Sequence, residues 1–180
     1  MKCYMDFDGV LNSVITNPNK LHKMARVTGY NDFEATSITI VGETFPIYMS
    51  PTRNARVREL AERTDFVWLT TWQPMGYLDI VQDWIGVEGR VPYNQFTDTV
   101  VGAYSSIVVQ SWKEKTVNDE TNEGTDHFIW CDDEEIRPWY RKRNKDRGRP
   151  ARLYSPSSRY GLTSLQFDEM FAFLDTHPED

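Results

Sequence analysis

The chain has 180 residues, with 27 Asp+Glu against 20 Lys+Arg and a formal net charge of −7. That length predicts one domain with a small insertion. The aromatic content of 13%, with 6 Trp, 9 Tyr and 9 Phe, excludes wholesale disorder, because so many large rings bury enough surface to offset chain entropy. No apolar run approaches the roughly 18 residues of a membrane span. The start MKCYMDFDGV has neither the apolar stretch nor the cleavage site of a secretory signal. The acidic balance gives no reason to expect a nucleic-acid coat protein. Cys3 and Cys131 fall inside expected buried strands, which fits free thiols in a reducing cytoplasm better than a disulfide framework.

In chain order, residues 2–7 read as a short strand running into DFDGVLN, punctuated by Gly9 and Asn12. Residues 12–35 are polar and aperiodic, a loop with one helical turn near Leu21 to Val27. TSITIVGETFPIYM alternates on both sides of Gly42-Glu43, which predicts a hairpin of strands 37–41 and 44–49. Ser50 caps a helix with Pro51 at its first position, and Val57, Leu60 and Ala61 form its apolar face. FVWLT, residues 66–70, is a continuous apolar strand, as for burial on both faces. A helix over 77–85 stops at Gly86.

Within residues 87–112, VVGAYSSIVVQSW predicts one or two strands, and KEKTVNDETN a short helix. HFIWCDD, residues 127–133, is an apolar strand ending in acids. A helix follows, broken or started near Pro138, then a strand at 151–155. Thr163 or Ser164 caps a last amphipathic helix bearing Leu165, Phe167, Met170, Phe171 and Leu174. Strands alternating with helices predict a mostly parallel sheet covered by helices, with the hairpin as an insertion.

Ligands of such sheets bind beyond the carboxyl ends of the strands. Three apolar strands here end in reactive groups: Asp6-Phe7-Asp8, Thr70-Thr71, and Asp132-Asp133 followed by Glu134 and Glu135. If these strands are neighbours, at least four carboxylates converge. Like charges a few Å apart coexist ionised only with a cation among them. Oxygen ligands without Cys or His suit Mg²⁺, which in turn attracts phosphate. A carboxylate can attack phosphorus to form an aspartyl-phosphate, and a second acid two residues on can protonate the leaving oxygen and then activate water. A hydroxyl such as Thr70 and an ammonium, Lys113 or Lys115, would hold the phosphoryl oxygens.

DFDGVLN at residues 6–12, the strand-Thr of FVWLT, the lysine of SWKEK and the strand-acid pair of FIWCDDE stand in the order of the haloacid dehalogenase (HAD) superfamily, which this chain resembles over roughly residues 2–135. WLTTW, WCDDE and the late RYGLT look like the HAD-like domain of "Swiss Army Knife" RNA repair proteins and phage relatives. The resemblance implies a Rossmann-like three-layer α/β sandwich with a small cap, here residues 13–50 with the hairpin, in one domain spanning 1–180. It implies Asp6 as nucleophile and Mg²⁺ ligand. Asp8 would be the general acid/base and lend its backbone carbonyl to the metal. Thr70 would bind phosphate, with Thr71 as second choice, and Lys113 would stabilise it, with Lys115 as second choice. Asp132 would ligate Mg²⁺ directly or through water, assisted by Asp133. The subfamily's name points to a nucleotide or nucleic-acid terminal phosphate as substrate.

Each motif also has a plainer reading. Asp-Phe-Asp-Gly can be a turn, Thr70 an ordinary strand residue, the lysines a solvated face, and the Asp132 run acids at a helix N-terminus. Residues 137–152, RPWYRKRNKDRGRPAR, hold eight basic residues and Asp146 as the one acid, leaving 12 basic against 26 acidic residues elsewhere. A basic run interleaved with Trp139 and Tyr140 fits a phosphate backbone with stacked bases, Arg141 and Arg143 being candidate contacts; a solvated helix offsetting an acidic body fits as well. Trp72 could stack a base or be buried. The expected activity is a Mg²⁺-dependent phosphohydrolase. The alternatives are a non-catalytic nucleic-acid or protein binding module on the same fold, a phosphoacceptor domain, whose motif order disagrees, and a two-metal nuclease.

Overall fold

The computed structural model describes residues 1–15, 21–40, 42–73, 75–92, 106–121 (side chains from 112) and 126–178. Its centre is a four-stranded parallel sheet of β1 (Lys2–Met5), β4 (Asp65–Trp68), β5 (Phe128–Cys131) and β6 (Ala151–Tyr154), in the order β4-β1-β5-β6. Its strands alternate between two buried faces. Cys3, Met5, Phe66, Trp68, Ile129 and Cys131 pack on one side with α2 (Pro51–Glu62), α3 (Leu78–Ile85) and α6 (Ser164–Thr176). Tyr4, Val67, Phe128 and Trp130 pack on the other with α4 (Ser106–Glu120) and α5 (Pro138–Asp146). A two-sided core explains why these strands read as unbroken apolar runs. The fold is therefore α/β and Rossmann-like, as the motif order implied.

Between β1 and α2 lie α1 (Leu21–Thr28) and an antiparallel hairpin of β2 (Glu34–Ile40) and β3 (Glu43–Met49). The hairpin turns one residue earlier than its sequence suggests. Ile40 pairs with Glu43, so Glu43 already belongs to the strand; residue 41 lies outside the described residues. Two-residue connections suit the twist of paired strands, and glycine, here Gly42 at φ 83°, is the residue that tolerates them. Most of β2 and the first half of β3 are exposed, while Ile47 and Tyr48 are buried at the base.

The larger correction concerns residues 100–112. Those from 106 onward are not strand but the start of α4, which also contains the expected short helix; residues 93–105 lie outside the described residues. The β-branched run Ile107-Val108-Val109 carries strand propensity. The helix's described buried face is made of Lys113, Thr116 and Val117, so it shows little apolar periodicity. The remaining caps follow their chemistry. Ser50 accepts a hydrogen bond from the Arg53 N–H at 3.1 Å, and Thr163, not Ser164, caps α6 in a reciprocal box with Gln166. Pro138 starts α5 rather than breaking it. Among the described residues no helix is long and apolar enough to cross a membrane.

One buried cation binds the loop after β1 to the rest. Arg53 on α2 is fully buried and donates to the carbonyls of Leu11 and of Tyr160, the latter at 3.0 Å. Its guanidinium lies 5.1 Å from the Phe33 ring centroid, and burial pulls its pKa down to about 10, so it remains charged at neutral pH. Removing it strands two buried carbonyls. Arg53→Met should cost roughly 3–5 kcal/mol in urea unfolding. A loss below about 1 kcal/mol would mean that those carbonyls find other donors.

Candidate active site

The carboxyl ends of β1 and β5 lie side by side, because Met5 pairs with Cys131 in parallel register. The next residue of each strand is therefore an acid, Asp6 and Asp132. Asp6 continues the ladder by one bond, its N–H donating to the Cys131 carbonyl at 3.1 Å. The chain then turns sharply. The N–H groups of Leu11 and Asn12 both donate to the Phe7 carbonyl, at 2.8 and 2.9 Å, while the Phe7 ring is buried against Trp72 at 5.2 Å and Trp84 at 6.1 Å. Gly9 sits at φ 69°, and a Cβ there would collide with the Asp133 carboxylate. Glycine is thus required twice over, by backbone conformation and by the close approach of Asp133.

From α4, Lys113 reaches between the two strand ends. Its Nζ donates to Asp6 Oδ2 at 2.5 Å and to Asp132 Oδ2 at 2.8 Å, and all three side chains are buried. The second oxygens are also held: Asp6 Oδ1 accepts from the Phe7 N–H at 2.7 Å, and Asp132 Oδ1 accepts from the N–H groups of Glu134 and Glu135 at 3.0 and 2.7 Å. Asp8 stands apart. Trp72 Nε1 donates to its Oδ2 at 2.6 Å and Asn12 Nδ2 to its Oδ1 at 2.8 Å. Asp6, Asp8, Asp132, Asp133, Lys113 and Thr71 line one cavity of about 300 Å³, together with Glu134, Glu135 and Ser158.

Burial first, and neighbouring carboxylates second, raise the carboxyls of the site. Burial pushes the Asp6 carboxyl up to about 7; Lys113 opposes this, and Asp132 adds to it. Burial and then Asp132 likewise raise Asp133 to about 6 and Glu135 to about 7. Burial alone would lower Lys113, but Asp6 and Asp132 outweigh it and hold the ammonium above its ordinary value.

A family model described as "HAD domain in Swiss Army Knife RNA repair proteins" matches residues 3–167. The chain belongs to that family. Searches of curated proteins and of solved structures returned no match. Membership of the HAD superfamily points to phosphohydrolase-type chemistry and to a divalent metal. The donor set fits such an ion. Asp6, Asp132 and Asp133 each offer an oxygen, all within 4.8 Å of one another. Three carboxylates with no imidazole or thiolate form a hard-cation site. The Asp8 carboxylate is not in that triad; its two oxygens accept from Trp72 and Asn12.

The HAD domain draws together most, but not all, of the residues that the motifs single out. Thr71 lines the cavity, whereas Thr70 is fully buried behind it, its Oγ1 accepting from the Trp72 N–H at 3.4 Å. Lys115 points to solvent and pairs with Asp119 one turn on. Trp72 is only 3% exposed, so its ring is core and its indole N–H serves Asp8, which leaves no face for a base. Arg141 and Arg143 do not line the cavity. Arg141 donates to the Leu153 carbonyl and, at 2.8 Å, to Ser155 Oγ. Arg143 donates to Glu114 at 3.0 Å and stacks on Tyr140. Two participants had gone unassigned. Asn12, four residues after Asp8, could have been suspected from that spacing. Ser158 carries no signal in the sequence.

Carboxyls whose folded pKa lies above the unfolded value stabilise the fold only while protonated. Their contribution is complete below about pH 4 and is lost as pH climbs through about 6 to 7. A divalent ion replaces the lost protons. Magnesium should therefore raise the melting temperature more at about pH 8 than at about pH 5, measured by differential scanning fluorimetry. Equal shifts at both would remove these carboxylates from the ligand set.

Proposed function

We propose that this HAD domain is a Mg²⁺-dependent phosphohydrolase of phosphate monoesters that carries the phosphoryl group on Asp6, and that its substrate is a nucleotide or the terminal phosphate of a nucleic acid. The observation that carries the reading is the convergence of Asp6, Asp132 and Lys113 in a buried cluster on a 300 Å³ cavity, with Asp8 clamped two residues on. The family's description, which names RNA repair, supports the substrate class.

In this reading an Asp6 carboxylate oxygen attacks phosphorus and the ester P–O bond breaks. The departing oxygen takes the proton of Asp8. Asp8 then takes a proton from water, whose oxygen attacks phosphorus and releases phosphate from Asp6, so that both acids return to their starting states. Lys113 and Thr71 hold and neutralise the phosphoryl oxygens. Asp6, Asp132, Asp133 and the Asp8 backbone carbonyl would hold a magnesium ion, which would supply further charge neutralisation. Trp72 and Asn12 orient the Asp8 carboxylate, one donor to each oxygen.

The hairpin belongs to the insertion that serves as the cap. Its base supports this, for the Tyr48 N–H donates to Asn12 Oδ1 at 2.9 Å. Buried free thiols at Cys3 and Cys131 support a reducing, cytoplasmic setting.

Asp6→Asn should lower hydrolysis of an aryl phosphate at saturating Mg²⁺ by at least about 100-fold, with the circular dichroism spectrum unchanged. A variant as fast as the parent would end the covalent mechanism. Trp72→Phe keeps the ring packing and deletes the donor to Asp8. It should lower kcat by about 10-fold while leaving KM within about threefold; an unchanged kcat would show that Asp8 does not need the indole.

A further inference from the structure

The basic segment 137–152 is not absorbed by the cavity of Asp6. It forms part of a separate and larger groove of about 750 Å³, walled by α5, β6 and α6. Among the described residues β6 is the last strand of the sheet, so the groove follows a sheet edge. Its cationic residues are Arg141, Lys145, Arg149 and Arg152, against the single carboxylate of Glu169. Arg141 and Arg149 are committed to protein, to the Leu153 carbonyl and to Thr121. Lys145 and Arg152 are exposed and have no ion pair among the described residues; the Arg152 guanidinium rests on the Phe173 ring at 4.8 Å. The wall also holds three buried residues with unpartnered polar atoms, Asn144 Oδ1, Arg149 Nε and Tyr154 Oη.

The groove and the cavity are joined through the backbone at the end of β6. Tyr154 lines the first, and its carbonyl accepts from the N–H of Asp132, which lines the second, at 3.0 Å. Four residues further along, Ser158 lines the cavity itself. We propose that this groove is a track for the phosphodiester backbone of a single-stranded oligonucleotide whose phosphorylated end reaches the Asp6 cavity. The inference rests on the phosphohydrolase reading for that end. Guanidinium and ammonium groups in a concave wall match successive phosphates. The rest of the chain is acidic in balance, so a basic groove favours the approach of a polyanion there.

The test uses the full chain, a labelled single-stranded ribo- or deoxyribo-oligonucleotide and fluorescence anisotropy without metal. Lys145→Glu with Arg152→Glu should weaken binding at least about 10-fold and reduce the salt dependence by about two charges. The same variant should raise KM for a 3′- or 5′-phosphorylated oligonucleotide and keep the parent's rate on an aryl phosphate. The milder pair Lys145→Ala with Arg152→Ala should give the same ordering if the charge reversal impairs folding. Failure of the parent to bind, or binding that ignores both variants, would overturn the groove. Displacement by polyglutamate as effective as by an unlabelled oligonucleotide would also overturn it, in favour of an acidic protein partner. A parent that hydrolyses no phosphate ester but loses oligonucleotide binding in both variants would defeat the hydrolase reading alone and leave the groove as a binding site.

Discussion

The ammonium of Lys113, held between Asp6 and Asp132, is the contact on which the site is built. Adjacent parallel strands in register deliver two carboxylates to one place, and in a low dielectric that arrangement is strongly repulsive. A buried cation relieves it only with good geometry and with the remaining lone pairs satisfied. Both conditions are met here, since each carboxylate keeps one oxygen for the lysine and gives the other to backbone N–H groups. The requirement reaches back into α4, whose described buried face gives two of its three positions to Lys113 and Thr116 and only one, Val117, to an aliphatic side chain. Compensation is nevertheless partial, because Asp133 and Glu135 border the same cavity. A site left short of positive charge has a use for a divalent ion and for the order it imposes.

A second layer of organisation passes through Asn12. Its amide uses both ends, donating to Asp8 and accepting from Tyr48 at the base of the hairpin. Arg53 secures the neighbouring Leu11 carbonyl from beneath and joins it to Tyr160. The loop that carries Asp6 and Asp8 is thus fastened to the hairpin, to α2 and to the segment after β6, while Trp72 fastens it to the end of β4. Elements from widely separated parts of the chain each contribute hydrogen bonds. This makes the loop rigid without a long run of regular structure.

Much of this was legible in the sequence where strand and acid coincide. Apolar runs ending in Asp6 and in Asp132-Asp133 disclosed both the sheet and the place where its contents meet. Lys113 could be named only alongside Lys115, because choosing between neighbours requires knowing which face of the helix turns inward. The β-branched run before them disguised the first part of that helix. The Thr70 and Thr71 pair posed a similar problem, since one residue decides whether a side chain faces core or cavity. Trp72 reads equally as a stacking surface or as core, and a single hydrogen bond to a residue 64 positions away settles it. Arg53 was invisible for a different reason. A charged residue on a polar-looking helix signals solvent, and only tertiary carbonyls reveal that it is enclosed.

The open side of β6 has one more consequence. An uncovered edge strand is a template on which another polypeptide can add itself. Here the Arg141 guanidinium occupies the Leu153 carbonyl, a group that a docking strand would need. Two copies meeting edge to edge would also bring Lys145 and Arg152 against their own kind. The cations along this border therefore discourage fibre-like self-association in a chain whose sheet is otherwise left unfinished on that flank.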